Sequence, residues 1–140
     1  MAIEITDDMA EQVNHALENA VPCMLATASK DGMPDVAIRG SVYVYDKDHL
    51  AYWERSLGES LINLRENTGV VVMFRNPATR ATWRFYGNAT LHEHGDEMRE
   101  KIMSRVIERE LNADPERKGF GVLIRIDRVR QGGNVLMQRD

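Results

Sequence analysis

Apolar positions recur at two periods along this chain, and the switches between those periods mark its elements. From Thr6 to Ala20 the residues Met9, Val13, Ala16, Leu17 and Ala20 fall at helical spacing. Thr6 suits the N-cap, Asp7 and Asp8 suit the positive end of the helix dipole, and Pro22 ends the helix. "CMLATAS" (23–29) then reads as a compact apolar strand, and "KDGM" supplies an Asp-Gly hairpin turn. Asp35 to Tyr45 is the returning strand, and "DKDH" turns the chain into a third strand, Leu50 to Glu54. A short helix follows at Glu59–Asn67, apolar at Leu61, Ile62 and Leu64.

"VVVMFR" (70–75) reads as a buried strand, "NPAT" as a turn and "TWRFYGNATL" (82–91) as another strand. Gly87 inside that strand predicts a bulge or bend of the kind barrels need at their corners. From Asp96 to Asn112 the period is again helical, with Met98, Ile102, Val106 and Leu111 on one side, until Asp114-Pro115 breaks it. "FGVLIRIDRV" (120–129) alternates and makes the sixth strand. Six short strands with hairpin turns and few helices predict a mostly β (α+β) fold, a six-stranded antiparallel barrel with flanking helices. No repeat or linker divides residues 1–140, so they read as a single domain.

Composition narrows the function. Eighteen basic against 22 acidic side chains leave a net charge of −4, which argues against a nucleic-acid partner. No apolar run approaches the roughly 20 residues of a membrane-spanning helix. "MAIEITDDMAEQ" is acidic and lacks the order of a signal peptide. Cys23 is the one cysteine, so no internal disulfide forms and a cytoplasmic location fits. Its apolar flanks mark a buried structural thiol.

Catalytic signatures are absent. There is no Ser/His/Asp or Cys/His arrangement, no Walker loop and no dinucleotide fingerprint. His92 and His94 in "HEHGD" superficially suggest metal, but their turn setting reads as solvated loop, and no metal site is predicted. His15 and His49 read as isolated and exposed, and "REKIMSRVIEREL" as a solvated helix laced with ion pairs. One junction, "YWERSLGESLINLREN" (52–67), gathers Ser hydroxyls, Gly backbone and Arg charge at a helix start.

The order of segments resembles the pyridoxamine 5′-phosphate oxidase-like family of flavin-binding split barrels. The likeness spans roughly Val21 to Val129 and is carried by "CMLATASKDGMPDVA", "IRGSVYVYDKDHLAYWERSLGES", "NLRENTGVVVMF" and "TWRFYGNATLH". It implies a split barrel, a homodimer, and FMN in a groove at the interface between the two chains. By position it assigns cofactor contacts to Ile38, Arg39, Gly40 and Ser41 and, at the end of the next strand, to Trp53, Glu54 and Arg55. It sets Thr82 and Trp83 against the flavin of the partner chain. The phosphate-clamp loop departs from the family pattern. It reads Gly58, Glu59, Ser60, and both basic residues are missing.

Arg39, Arg55, Ser41, Ser56 and Ser60 together offer donors and positive charge to a phosphate without the Lys usual in that family's clamp. Gly40 and Gly58 allow close backbone approach, and the helix start near Glu59 points its positive end the same way. Glu59 opposes this by repulsion. The same residues also make an ordinary capped turn, and both readings stand at this point. Trp53 likewise reads either as core or as the lining of a ring-shaped ligand, whereas Trp83 reads more readily as core. A flavin brings its own chemistry, so no catalytic side chain is assigned.

The expectation is therefore an FMN-binding homodimer, a flavin-dependent oxidoreductase acting on an unidentified small molecule. A deazaflavin-dependent reductase and a non-enzymatic flavin or haem binder are the alternatives. Oxidation of pyridoxamine phosphate itself is not expected, because the chain ends at "GGNVLMQRD" without an Arg-rich substrate segment.

Overall fold

The computed structural model describes residues 2–140; Met1 lies outside the described residues. Its elements are α1 (Asp7–Asn14), β1 (Cys23–Ala28), β2 (Pro34–Arg39), β3 (Tyr43–Asp46), β4 (His49–Glu54), α2 (Glu59–Glu66), β5 (Gly69–Asn76), β6 (Ala81–His92), α3 (Glu97–Met103), α4 (Glu108–Asn112), β7 (Phe120–Gln131) and β8 (Asn134–Gln138). The strands are antiparallel and run in the order β2-β1-β5-β6-β7-β4-β3, with β8 paired to β7. This is the split barrel expected, with eight strands rather than six.

Both extra strands have a physical cause. The segment read as one strand over 35–45 bends at Gly40-Ser41, so β2 pairs with β1 while β3 pairs with β4 at the opposite end of the sheet. The Ser41 hydroxyl accepts from Trp53 N (2.9 Å) and donates to Trp53 O (3.2 Å), standing in for a backbone pair at the bend. The tail beyond the last predicted strand turns at Gly132 (φ +56°) and returns as β8, burying Met137.

Alternation places Leu25, Val70, Val72, Phe74, Trp83, Phe85, Ile124 and Ile126 inside the barrel. Gly87 sits where β6 slips register against β7, as expected of a bulge. A Cβ there would overlap the Arg125 carbonyl oxygen and touch Ile124 Cγ2 at 3.0 Å, so close backbone approach requires glycine. The Asp31-Gly32 turn forms with Gly32 at φ +88°, and Cys23 is buried, its thiol pushed up to about 12 by desolvation.

The helices are shorter than the periodicity implies. Thr6 caps α1 through Met9 N (3.1 Å), but the helix ends at Asn14, not Ala20, and the Asn14 side chain accepts from Val44 N. The single helix expected over 96–112 is two, α3 and α4. Between them Arg105 leaves helical geometry to lie over the rings of Tyr43 and Tyr45 and donate to their strand's carbonyls. Nor is that region wholly solvated: Arg99 is buried over Trp53, and Ile102 and Val106 complete a second cluster with Tyr43, Ala51 and Trp53. Among the described residues no helix is long and apolar enough to cross a membrane.

Candidate functional site

The bend at Gly40-Ser41 brings the end of β2 against the end of β4, and a small hollow of about 90 Å³ opens there. Ile38, Arg39, Gly40, Trp53, Glu54, Arg55, Ser56 and Glu110 line it. Six of the ten candidate site residues therefore converge on one hollow: Arg39, Gly40, Trp53, Glu54, Arg55 and Ser56.

Glu54 organises this place. Its carboxylate is fully buried, and Oε1 accepts from Arg39 Nη2 (3.1 Å). Oε2 accepts from Ser56 N (3.1 Å), Ser56 Oγ (2.7 Å) and Leu57 N (3.1 Å). Arg39 Nη2 also donates to Ser60 Oγ (2.8 Å), which ties the start of α2 to the cluster. Leu57 takes a left-handed φ of +53° to turn the loop around the carboxylate. The loop's donors thus face a carboxylate supplied by the chain itself. Arg55 is exposed, with Nε on Glu110 Oε1 at 3.3 Å.

Two atoms here remain without partners: Arg39 Nε and the Tyr52 hydroxyl, both buried. Burial first, and then the Glu54 charge, push the Tyr52 phenol well above its ordinary value, with Arg39 opposing.

Ser41 and Ser60 are buried beside the hollow without lining it, and Thr82 and Trp83 lie apart from it. Ser41 is buried and spent on the Trp53 backbone. Trp53 lines the hollow but has its ring in the core, 1% exposed, with Nε1 donating to Asp114 (2.9 Å) and Arg99 stacked on the ring at 4.9 Å. Trp83 stacks on Phe74 (5.4 Å between ring centres) and donates to Gln131. Thr82 and Trp83 stand opposite Arg75 and Phe74, whereas the β4 end pairs through Gly121 with His92. Trp83 and His92 are nine residues apart along β6, roughly 30 Å of strand, so one chain does not bring the two sets together.

Thr82 faces outward on β6 with Arg84 and Tyr86. Beside them Met24, Ala26, Val36, Val71, Met73, Arg84 and Tyr86 line an apolar trough of about 290 Å³. Val36 and Ile38 on β2 are 64% and 65% exposed, high for β-branched strand residues, and Ile38 continues the trough into the hollow.

Three residues that matter here escaped the sequence reading: Arg99, Glu110 and Asp114. Burial by itself would raise the Asp114 carboxyl, but hydrogen bonds from Lys118 N, Trp53 Nε1 and Gly119 N outweigh it and hold it below its ordinary value. No periodicity in 96–118 signals these contacts. The histidines also differ from expectation: His92 Nδ1 is 2.7 Å from Asp96, the cap of α3, and His49 lies between Asp46 and Asp48. The Asp46–Asp48–His49 trio is the one grouping of potential metal ligands among the described residues, and Arg139 already pairs with Asp48 at 3.3 Å.

The family model for pyridoxamine 5′-phosphate oxidase matches residues 9–131. The chain belongs to the pyridoxamine 5′-phosphate oxidase family. Among solved structures of similar fold is a candidate pyridoxamine 5′-phosphate oxidase from Lactobacillus delbrueckii, 28% identical, with a TM-score of 0.71 over 92% of this chain and 95% of that one. An FMN-binding protein from Syntrophomonas wolfei shares the fold at 16% identity, with a TM-score of 0.68 over 93% and 89% of the two chains. An uncharacterized protein of Methanocaldococcus jannaschii is 26% identical over 91% of this chain and 80% of its own length. Within the family's split barrel, the hollow sits where the strand after the first hairpin meets the loop into α2.

Proposed function

We propose that residues 1–140 form one flavin-binding domain that takes FMN at the hollow between β2 and β4. In this reading it works as a homodimer and as a flavin-dependent oxidoreductase on a small molecule. The observation that carries this is the convergence of Arg39, Gly40, Arg55 and Ser56 on a single hollow at the rim of an exposed apolar sheet face.

The residues present fit the group. Two arginines face the hollow, Arg55 paired only through a carboxylate that a phosphate could replace, and the buried Nε of Arg39 lacks an acceptor. The apolar trough supports the dimer, because a second copy seated on Val36, Ile38 and Met73 would bury them and present its Thr82 face to the hollow. The fold likeness to FMN-binding proteins is further support. A bound flavin supplies the electron transfer; this chain's part is to hold the phosphate end, orient the ring against the sheet face and keep water from it.

The test is the absorbance spectrum of purified protein after incubation with FMN, combined with light scattering across a dilution series. A bound-flavin spectrum near one per chain, on a dimer whose interface exceeds roughly 2,000 Å², is expected. Protein that stays colourless with FMN and with a deazaflavin overturns the cofactor reading. A Soret band replaces it with haem binding, and a stable monomer that binds flavin removes the interface.

A further inference from the structure

Both arginines of the hollow are already neutralised from within. Arg39 pairs with Glu54 at 3.1 Å and Arg55 with Glu110 at 3.3 Å, so the side chains that would hold a phosphate balance to zero net charge. The two carboxylates are not equivalent. Glu54 is fully buried and fixed by Arg39, Ser56 and Leu57. Glu110 holds Arg55 through one long contact, from a helix of five residues with no side-chain cap and no buried residue. Glu54 stays in place on this geometry, and Glu110 is the one free to move.

Glu110 also occupies the approach to the site. Its Oε2 lies 3.0 Å from the point where a Cβ on Gly40 would stand, so the carboxylate rests directly over the glycine that opens the hollow. Although it belongs to a segment whose sequence reads as solvated, its side chain is only 13% exposed. An incoming phosphate and the Glu110 carboxylate therefore need the same guanidinium and the same space, and like charges exclude each other there.

We infer that Glu110 is a built-in counter-anion that sets the site's preference between phosphorylated and unphosphorylated flavins. This rests on the flavin reading above. In the native chain the phosphate reaches Arg55 only by displacing Glu110, so the contact it makes replaces one already present. The flavin ring then carries most of the affinity, and phosphate adds little. Arg55 and Glu110 act together as a specificity pair, and the Glu110 side chain is the part that moves aside, since Leu111 of α4 packs against the second cluster and its carbonyl accepts from Arg117.

The experiment is calorimetric titration of the purified protein with FMN and with riboflavin. It compares the native chain, Glu110→Gln, Glu110→Ala and the double variant Glu110→Gln/Arg55→Gln. The native chain should bind the two ligands within about threefold of one another, because the charge-assisted bond gained is offset by the one lost. Glu110→Gln should bind FMN roughly tenfold tighter and leave riboflavin within about twofold, and adding Arg55→Gln should abolish that gain. Glu110→Ala checks that the gain comes from removing the charge and not from the new amide.

An FMN-to-riboflavin ratio unchanged in both Glu110 variants overturns the role of Glu110 while leaving flavin binding intact. A native preference for FMN above about a hundredfold overturns it equally, since the phosphate would then be held without competition. Failure of every variant to bind either ligand removes the flavin reading and the Glu110 role together.

Discussion

Glu54→Gln should be among the most damaging single substitutions at this site, although it changes one atom. The carboxylate accepts four hydrogen bonds while fully buried: one from Arg39 on Oε1 and three from Ser56 and Leu57 on Oε2. Glutamine offers one accepting oxygen and one donating amide. If the oxygen faces the loop, the amide is set donor-to-donor against Arg39 and leaves a buried guanidinium without its counter-charge. If the amide faces the loop, the N–H groups of Ser56 and Leu57 lose their acceptor, at about 1–3 kcal/mol each.

Either arrangement costs about 3–5 kcal/mol, the usual penalty for breaking a buried ion pair from one side. With a urea m-value of about 1–3 kcal/mol/M, the unfolding midpoint should drop by about 2 M. Chemical denaturation followed by tryptophan fluorescence reads this directly, since Trp53 is the neighbouring residue. The double variant Arg39→Met/Glu54→Gln should recover part of the loss, because no buried charge is then left unpaired. A Glu54→Gln protein within about 1 kcal/mol of the native chain would show that water reaches the carboxylate, and the organising role given to Glu54 would fall.

Gly87→Ala should destabilise by about 3 kcal/mol or more, seen as a melting temperature lower by about 10 °C, because its Cβ meets the Arg125 carbonyl rather than a flexible side chain. An unchanged melt would mean the bulge relaxes freely. Asp114 predicts a pH dependence. Its carboxyl is depressed in the folded chain, so its stabilisation is present above the unfolded value of about 4 and lost as pH falls through the folded one. Denaturation midpoints should fall below about pH 4, and Asp114→Asn should lower stability at pH 7 by about 1.5–3 kcal/mol while flattening that acid limb; an acid limb unchanged by the substitution would assign it to other carboxylates.

What was legible in the sequence is what neighbouring residues decide among themselves. The Thr6 cap, the Asp31-Gly32 turn and the inside-outside alternation of β7 each depend on a few adjacent positions. Gly87 was readable too, since a glycine inside an alternating strand marks a bulge, a bend or a close backbone approach. From the residues alone the loop at 55–60 stayed open between phosphate site and capped turn, and the family resemblance supplied the direction.

Only the tertiary structure decided the rest, because it depends on groups far apart in the chain. Arg39 meets Glu54 across 15 residues, Arg55 meets Glu110 across 55, and Trp53 meets Asp114 across 61. The split at Gly40-Ser41 follows from pairing β2 and β3 at opposite ends of the sheet, which no local periodicity encodes. Burial of Arg99 depends likewise on Trp53 being packed beneath it and on the Gly119 and Arg117 carbonyls lying within reach. Hydrophobic alternation records which face of a strand is inside. The partner of a buried charge is recorded nowhere until the sheet has closed and brought the two together.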